Sequence, residues 1–237
     1  MPHPDSANWN LPPPPGFHGL RDDLPLRFYE GLLPHWRQDG ATYFVTFRLA
    51  DSLPQSKLNE LRAFKAEWER RHPPPRSHAV LDEIARELFR RIEGWLDQGM
   101  GSCVLKQPKL AEQVVTAMHD RNGTDHELGC YVVMPNHVHA IVRPLVPREN
   151  DVEDILRIWK GRSAYEINRQ RGERGTLWQR ESYDRIIRDE EHLWRVIQYI
   201  GRNPKNAGLD PTATPLWIRP SWIECGWRFS ENVPPRP

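Results

Sequence analysis

The segment from Tyr131 to Arg143 constrains this chain most, because it is almost wholly apolar yet carries two histidines, His137 and His139. Successive side chains of a β-strand point to opposite faces of the sheet. The two histidines are therefore predicted to share one face, with Val138 on the other. Two imidazoles on one face of a rigid strand can bind a single metal ion, so the segment indicates a candidate metal site.

Composition is typical of a globular core with extended proline-bearing additions. The chain has 237 residues, enough for one domain with additions or two small ones. No apolar run approaches the roughly 20 residues that span a bilayer, and the N-terminus lacks the apolar core of a secretory signal. The three cysteines, Cys103, Cys130 and Cys225, are odd in number and far apart, which predicts no disulfide framework. We therefore expect a cytoplasmic protein with no membrane partner.

Positive charge concentrates in the last third of the chain, although the net charge is only +1. Residues 157–205 contain twelve Lys or Arg and seven Asp or Glu, so this segment carries a local excess of five positive charges. Such an excess favours a polyanionic partner. A solvated helical surface of mixed charge is the alternative interpretation.

Hydrophobic spacing and turn signals predict an ordered series of strands and helices. In chain order these are a strand at 41–49, helices at 52–71 and about 80–97, a helix at 108–120, strands at 127–134 and 137–143, a helix at 151–169, a strand at 183–188 and a helix at 190–202. Pro204 is expected to end the last helix, because the residue before a proline is pushed out of the α region.

With the two helices at 52–97 set aside as an insertion, the order is β-α-β-β-α-β-α. The first six elements match the ferredoxin-like pattern. We therefore predict an α+β fold with a four-stranded antiparallel sheet, helices on one face and the histidines on a central strand. Residues 1–40 are expected to form a proline-rich arm that packs through Phe28, Tyr29 and Trp36, and residues 210–237 a tail.

The last predicted helix offers further groups for chemistry. Tyr199 and Asn203 are four residues apart and so share one helical face. The amide oxygen of Asn203, together with His137 and His139, would suit Mg²⁺ or Mn²⁺. The Tyr199 hydroxyl could then attack a phosphorus centre, provided that a metal or a base activates it.

Four blocks of sequence together resemble a known family. Residues 134–139, Met-Pro-Asn-His-Val-His, are similar to the His-hydrophobe-His motif of the HUH single-strand nucleases. Together with 178–191 and 199–209, they resemble the REP-associated tyrosine transposases, and 40–49 resembles the opening strand of that family. The resemblance spans about residues 34–209, which makes 41–209 the predicted HUH transposase domain.

This resemblance implies a metal-dependent single-strand DNA endonuclease and strand transferase that acts on hairpin-forming palindromic repeats. It places the nucleophile, which forms a 5′-phosphotyrosine intermediate, at Tyr199 on an extra C-terminal helix, and the ligands of Mg²⁺ or Mn²⁺ at His137, His139 and Asn203. The partner is single-stranded or hairpin DNA. Basic side chains predicted to hold its phosphates are Arg180, Arg185, Arg188, Arg195, Arg202 and Lys205.

Several alternatives stay open at this stage. Tyr183 competes with Tyr199 as the nucleophile, although core packing explains Tyr183 better. The chain could instead be a metal-dependent phosphodiesterase that uses activated water, or a module that binds single-stranded nucleic acid without chemistry. The sequence also leaves open whether the nucleophile acts within one protomer or across a homodimer.

Overall fold

An antiparallel five-stranded sheet organises the structure, a computed structural model that describes residues 11–31, 33–145 and 151–230. The elements in chain order are strands β1 (Arg27–Glu30), β2 (Pro34–Arg37) and β3 (Tyr43–Arg48), helices α1 (Gln55–Arg71), α2 (His78–Leu96) and α3 (Pro108–His119), strands β4 (His126–Val133) and β5 (His137–Pro144), helix α4 (Val152–Arg171), strand β6 (Tyr183–Ile186), helix α5 (Glu190–Asn206), strand β7 (Leu216–Ile218) and helix α6 (Pro220–Glu224).

The strand order confirms the predicted ferredoxin-like core. The sheet runs β6-β3-β5-β4-β7, and its first four members are the strands that the pattern β-α-β-β-α-β places together. The predicted sheet had four strands, and the structure adds β7, which pairs with β4 at the edge. Strand β7 escapes prediction because it is only three residues long and lies in the tail.

Helices cover both faces of the sheet. On one face Val45 packs with Trp159 among the side chains of α3 and α4, as predicted. On the other face Phe44 packs with Leu88 of α2 and Ile197 of α5. The prediction of helices on one face therefore holds for α3 and α4 only. The inserted helix α2 and the last long helix α5 bury the second face, which is the face that carries the two histidines.

Helix α2 is the part of the insertion that packs on the sheet. Ser77 caps its N-terminus by accepting a hydrogen bond from the backbone N–H of Val80. Leu81, Ile84 and Leu88 form a buried stripe at helical spacing. Helix α1, in contrast, buries only one side chain fully among its residues. The insertion therefore covers the sheet mainly through α2.

Helix α5 extends beyond the predicted end, so the expectation that Pro204 would stop it was wrong. The helix continues to Asn206 with Pro204 inside it. A proline removes one N–H donor, but later donors still find helical acceptors: the N–H of Ala207 binds the carbonyl of Asn203 at 3.1 Å, and the N–H of Leu209 binds the carbonyl of Pro204 at 2.8 Å. Burial of Asn203 and Pro204 against the fold outweighs the local preference.

The N-terminal arm packs on the body at two places. In the hairpin of β1 and β2, Phe28 packs on Trp36, which confirms that part of the prediction. Tyr29 was expected to pack as well, but it is 48% exposed because it points away from the sheet-facing side of this short hairpin. The prolines lie against the tail, where the indole N–H groups of Trp222 and Trp227 donate to carbonyls of the arm at 2.9 and 3.0 Å.

A buried ion cluster joins the same hairpin to the main sheet. The carboxylate of Asp184 on β6 accepts hydrogen bonds from Arg37, and its Oδ2 lies 2.6 Å from Nδ1 of His35. Burial opposes the charge on His35, but its bonds to Asp184 and Glu181 raise the pKa of the imidazole to about 9. The buried Arg37 is thereby paired, as charged groups inside proteins normally are.

None of the helices in the described segments combines the length and the apolar character that crossing a bilayer would require. All three cysteines are free, with Cys103 and Cys130 buried. The cytoplasmic location stays a prediction.

Gly129 allows the tail to pack on β4. A Cβ at this position would lie 2.2 Å from the indole of Trp222 in α6. We expect Gly129→Ala to lower the free energy of unfolding by about 1–3 kcal/mol, because the buried indole must move. Gly161→Ala is the matched control: it lies within α4 with no atom near the added methyl group, so it should raise stability by about 0.5–1 kcal/mol. Denaturant titration measures both, and equal effects would contradict this account.

Candidate metal and nucleophile site

The two histidines of β5 meet edge to edge in a buried space between the sheet and α2. His137 and His139 are fully buried, and their Nε2 atoms lie 3.0 Å apart. Each ring is held from behind at Nδ1: Asn136 Oδ1 lies 2.8 Å from His137, and Thr46 Oγ1 lies 2.7 Å from His139. The predicted shared face is therefore present, with both Nε2 atoms directed to one point.

Asn136 fixes the tautomer of His137. Its amide nitrogen donates to the backbone carbonyls of Leu96 and Met100, at 3.3 and 3.1 Å. The amide oxygen, which can only accept, therefore faces the ring, so Nδ1 of His137 carries the proton. The lone pair of Nε2 is left for a ligand, an arrangement that is common for histidines that bind metals.

A glutamate that the sequence analysis missed completes the cluster. Glu93 of α2 is 1% exposed, and its Oε2 lies 3.2 Å from Nε2 of His139. One ligand atom each from Glu93, His137 and His139 all lie within 4.8 Å of one another. Burial would raise the pKa of Glu93, but the neighbouring imidazoles and Tyr199 lower it to about 2. The carboxylate is therefore ionised.

A sequence signal for Glu93 did exist. The buried positions of α2 include Ala85 and Leu96, and Glu93 lies eight residues after the first and three before the second, which places it beside the buried stripe of the helix. A charged residue on a buried helical stripe is a functional-site candidate, because burying an unpaired charge is costly. Helix α2 belongs to the insertion outside the ferredoxin-like pattern, so that pattern alone does not point to Glu93.

Tyr199 reaches the same point from α5. Its hydroxyl donates a hydrogen bond to Oε2 of Glu93, and Oη lies 3.4 Å from Nε2 of His139. The ring is half-buried and packs edge-on against Phe44 at a centroid distance of 5.7 Å. The structure thus brings together the tyrosine and both histidines on which the sequence analysis depended.

Asn203 lies one turn beyond Tyr199 and is fully buried. Neither its amide oxygen nor its amide nitrogen has a hydrogen-bond partner within the described part of the chain. Oε1 of Glu93 likewise has none there. Buried polar atoms are normally satisfied, so these atoms indicate that a further group binds here.

The donor set fits a divalent cation. Two nitrogens bound to one ion at about 2.1 Å each, and at about a right angle, lie about 3 Å apart, as the two Nε2 atoms do. A cation would also give Oε1 of Glu93 a partner. Imidazole nitrogens and a carboxylate oxygen together form a mixed site of moderate hardness. Glu93, His137 and His139 could therefore hold a divalent metal.

Most residues of this site lie in one segment that matches a known protein family. Residues 105–203 match the family model described as "Transposase IS200 like". The chain resembles the IS200-like transposases. The family resemblance predicted from the motifs is thereby confirmed, because the matched segment includes both histidines, Tyr199 and Asn203. Glu93 lies outside that segment.

A solved structure of a REP-associated tyrosine transposase bound to a REP hairpin is also similar. The two chains are 18% identical, the similarity covers 73% of this chain and 71% of the other, and the TM-score is 0.39. The assignment of the fold rests on the strand order of this chain. No curated protein matches the chain in sequence.

Tyr183, the alternative candidate for the nucleophile, is packed in the core. Tyr183 on β6 is buried, and its ring stacks on Phe89 at a centroid distance of 4.1 Å. Burial raises the pKa of its hydroxyl far above the usual range, which makes ionisation costly. Tyr183 therefore suits a structural role better than that of a nucleophile.

The basic side chains predicted to contact DNA phosphates differ in whether they already form ion pairs with acidic residues. Arg185 and Arg188 both bind the carboxylate of Asp82, at 3.1 and 2.7 Å, and Arg195 pairs with Glu191. The other members of the set are Arg180 and Lys205, which are exposed, and Arg202, which donates to a backbone carbonyl of its own helix. Their contact with DNA stays a prediction.

Removal of the Glu93 carboxylate tests the metal site. We expect Glu93→Gln to lower the affinity for Mn²⁺ by about tenfold or more, because a charged oxygen donor is lost. Glu83→Gln, an exposed position on the same helix, should leave the affinity unchanged. Isothermal titration with Mn²⁺ measures both, with thermal unfolding as the check on folding. Equal affinities in the two variants would exclude Glu93 as a ligand.

Proposed function

We propose that the chain is a metal-dependent single-strand DNA endonuclease and strand transferase whose nucleophile is Tyr199. The observation that carries this proposal is the position of the Tyr199 hydroxyl, 3.4 Å from Nε2 of His139 and hydrogen-bonded to Glu93. A metal phosphodiesterase that uses only water would not need a phenol at this point. The family match agrees with a transposase that acts on DNA.

The proposed reaction divides the chemistry between a few side chains. The Tyr199 oxygen attacks the phosphorus, oriented by its hydrogen bond to Glu93, and the phenolic proton passes to solvent. The bond from phosphorus to the 3′ oxygen breaks, and the departing oxygen takes a proton from water. The products are a 5′-phosphotyrosine and a free 3′-hydroxyl. The covalent link keeps the bond energy for rejoining, so strand transfer requires no ATP.

His137, His139, Glu93 and Asn203 would hold the cation, which we propose to be Mg²⁺ or Mn²⁺. Such an ion, when bound, polarises the phosphodiester and stabilises the charge that develops on its oxygens. Thr46 and Asn136 keep both imidazoles turned toward it. Burial of the whole group lowers the local dielectric and strengthens each of these interactions.

The proposed DNA partner is a hairpin formed by a palindromic repeat, with single-stranded DNA beside it. The similar solved structure is of a transposase bound to a REP hairpin, which makes a hairpin the first substrate to test. Exposed cations such as Arg180 and Lys205 would contact backbone phosphates, which carry affinity rather than sequence specificity. Both a monomer and a homodimer are compatible with this scheme.

Covalent capture of DNA tests this function. Labelled single-stranded hairpins incubated with the protein and Mn²⁺ should yield an adduct that survives denaturing electrophoresis. Tyr199→Phe should reduce adduct formation by about 10³-fold or more, because the attacking oxygen is lost. Tyr183→Phe, the matched control, should retain the adduct.

Other outcomes select the alternatives. Cleavage by Tyr199→Phe without an adduct would establish water as the nucleophile. Binding without cleavage by the wild-type protein under all metals would identify a nucleic-acid-binding module.

A further inference from the structure

Arg48 is a buried cation next to the candidate metal group. It is the last residue of β3, and its Cα pairs across the sheet with that of His137. Its side chain is on the same face as that of Thr46, which holds His139. Arg48 is only 7% exposed, so its guanidinium lies in the protein interior beside the site.

This guanidinium has no carboxylate within ion-pairing distance among the described residues. Its one hydrogen bond there runs from Nη1 to the hydroxyl of Ser52, at 3.1 Å. Burial lowers the pKa of Arg48 to about 10, and the more distant charge of Glu181 opposes that effect. Arg37, which is fully buried, binds both Asp184 and Glu153. The fold therefore gives one buried arginine carboxylate partners and gives the other no salt bridge among the described residues.

A small cavity connects Arg48 to the candidate metal group. Its polar lining consists of Thr46, Arg48, Gln179, Tyr183 and two carboxylates, Glu93 and Glu181. Its volume is about 20 Å³, which is room for a single oxygen-sized group rather than for a nucleotide. A ligand for Arg48 must therefore insert one small polar atom while the rest of the molecule stays outside.

We propose that Arg48 forms a phosphate subsite that binds a non-bridging oxygen of a phosphodiester in single-stranded DNA, beside the metal group. A phosphodiester supplies both the negative charge that the guanidinium lacks and an oxygen small enough for the cavity. This subsite rests on the proposed function, because it assumes DNA at the metal group. It adds a contact from β3, outside the family-matched segment.

The test is a charge-neutralisation cycle in the full chain. DNA binding is measured with the Tyr199→Phe protein, so that cleavage plays no part, on hairpin oligonucleotides in which single phosphates near the cleavage site are replaced in turn by neutral methylphosphonates. A charge-assisted hydrogen bond predicts that Arg48→Gln weakens binding of unmodified DNA by about 10- to 100-fold. The slope of log affinity against log salt should fall by about one.

The decisive result is position dependence. At one methylphosphonate position the effect of Arg48→Gln should disappear, while at the others it should persist, because only one phosphate has lost its partner. The same loss on every oligonucleotide, or no loss at all, would overturn the subsite. Since binding alone is scored, failure of Tyr199 to form an adduct would leave this result standing, and the two proposals fail separately.

A purely structural role for Arg48 gives a different result. Ser52→Ala removes the hydrogen bond between Ser52 and Arg48 but keeps the guanidinium, so the position-dependent coupling should survive in it. If Arg48 only braces Ser52, the two variants should instead weaken binding alike and at all positions. Should Arg48→Gln fail to fold, Arg48→Lys replaces it: a retained lysine charge predicts coupling to the same phosphate, and its absence overturns the subsite.

Discussion

The candidate site depends on the way the sheet fixes two imidazoles against each other. Asn136 and Thr46 hold the rings at their Nδ1 atoms, so both Nε2 atoms face inward at 3.0 Å from one another. Because β5 is a central strand paired on both sides, its backbone is fixed, and a ring could turn away only by breaking its bond to Asn136 or Thr46. This fixed pair is the frame to which Glu93 and Tyr199 are added.

The two additions come from helices on the same face of the sheet, and their packing explains why the site is buried. Helix α2 brings the carboxylate and α5 brings the phenol, and both are held by apolar side chains around Phe44. Packing on this face therefore brings the carboxylate, the two imidazoles and the phenol together, although they come from distant parts of the chain. A substitution that loosens α2 would be expected to displace Glu93 as well, which couples the insertion to the chemistry.

Sequence reasoning succeeded where the information is local and failed where it is not. Strand alternation sufficed to place His137 and His139 on one face, and helical spacing sufficed for Tyr199 and Asn203. Periodicity could mark Glu93 as a charged residue beside the buried stripe of α2, but its contact with the histidines depends on where α2 packs. The extension of α5 past Pro204 and the pairing of β7 with β4 likewise depend on tertiary burial, which overrides weak local preferences.

The distribution of charge within the site favours a role for Arg48 in the reaction as well as in binding. Before attack, the negative charge of the pair formed by Glu93 and Tyr199 lies on the carboxylate. In the proposed reaction, negative charge builds on the phosphoryl oxygens as the phenolic oxygen bonds to phosphorus. Arg48 lines the same cavity as Glu93 but carries no carboxylate of its own, so its field acts where the charge arrives. A buried cation already paired, such as Arg37, would supply no such field.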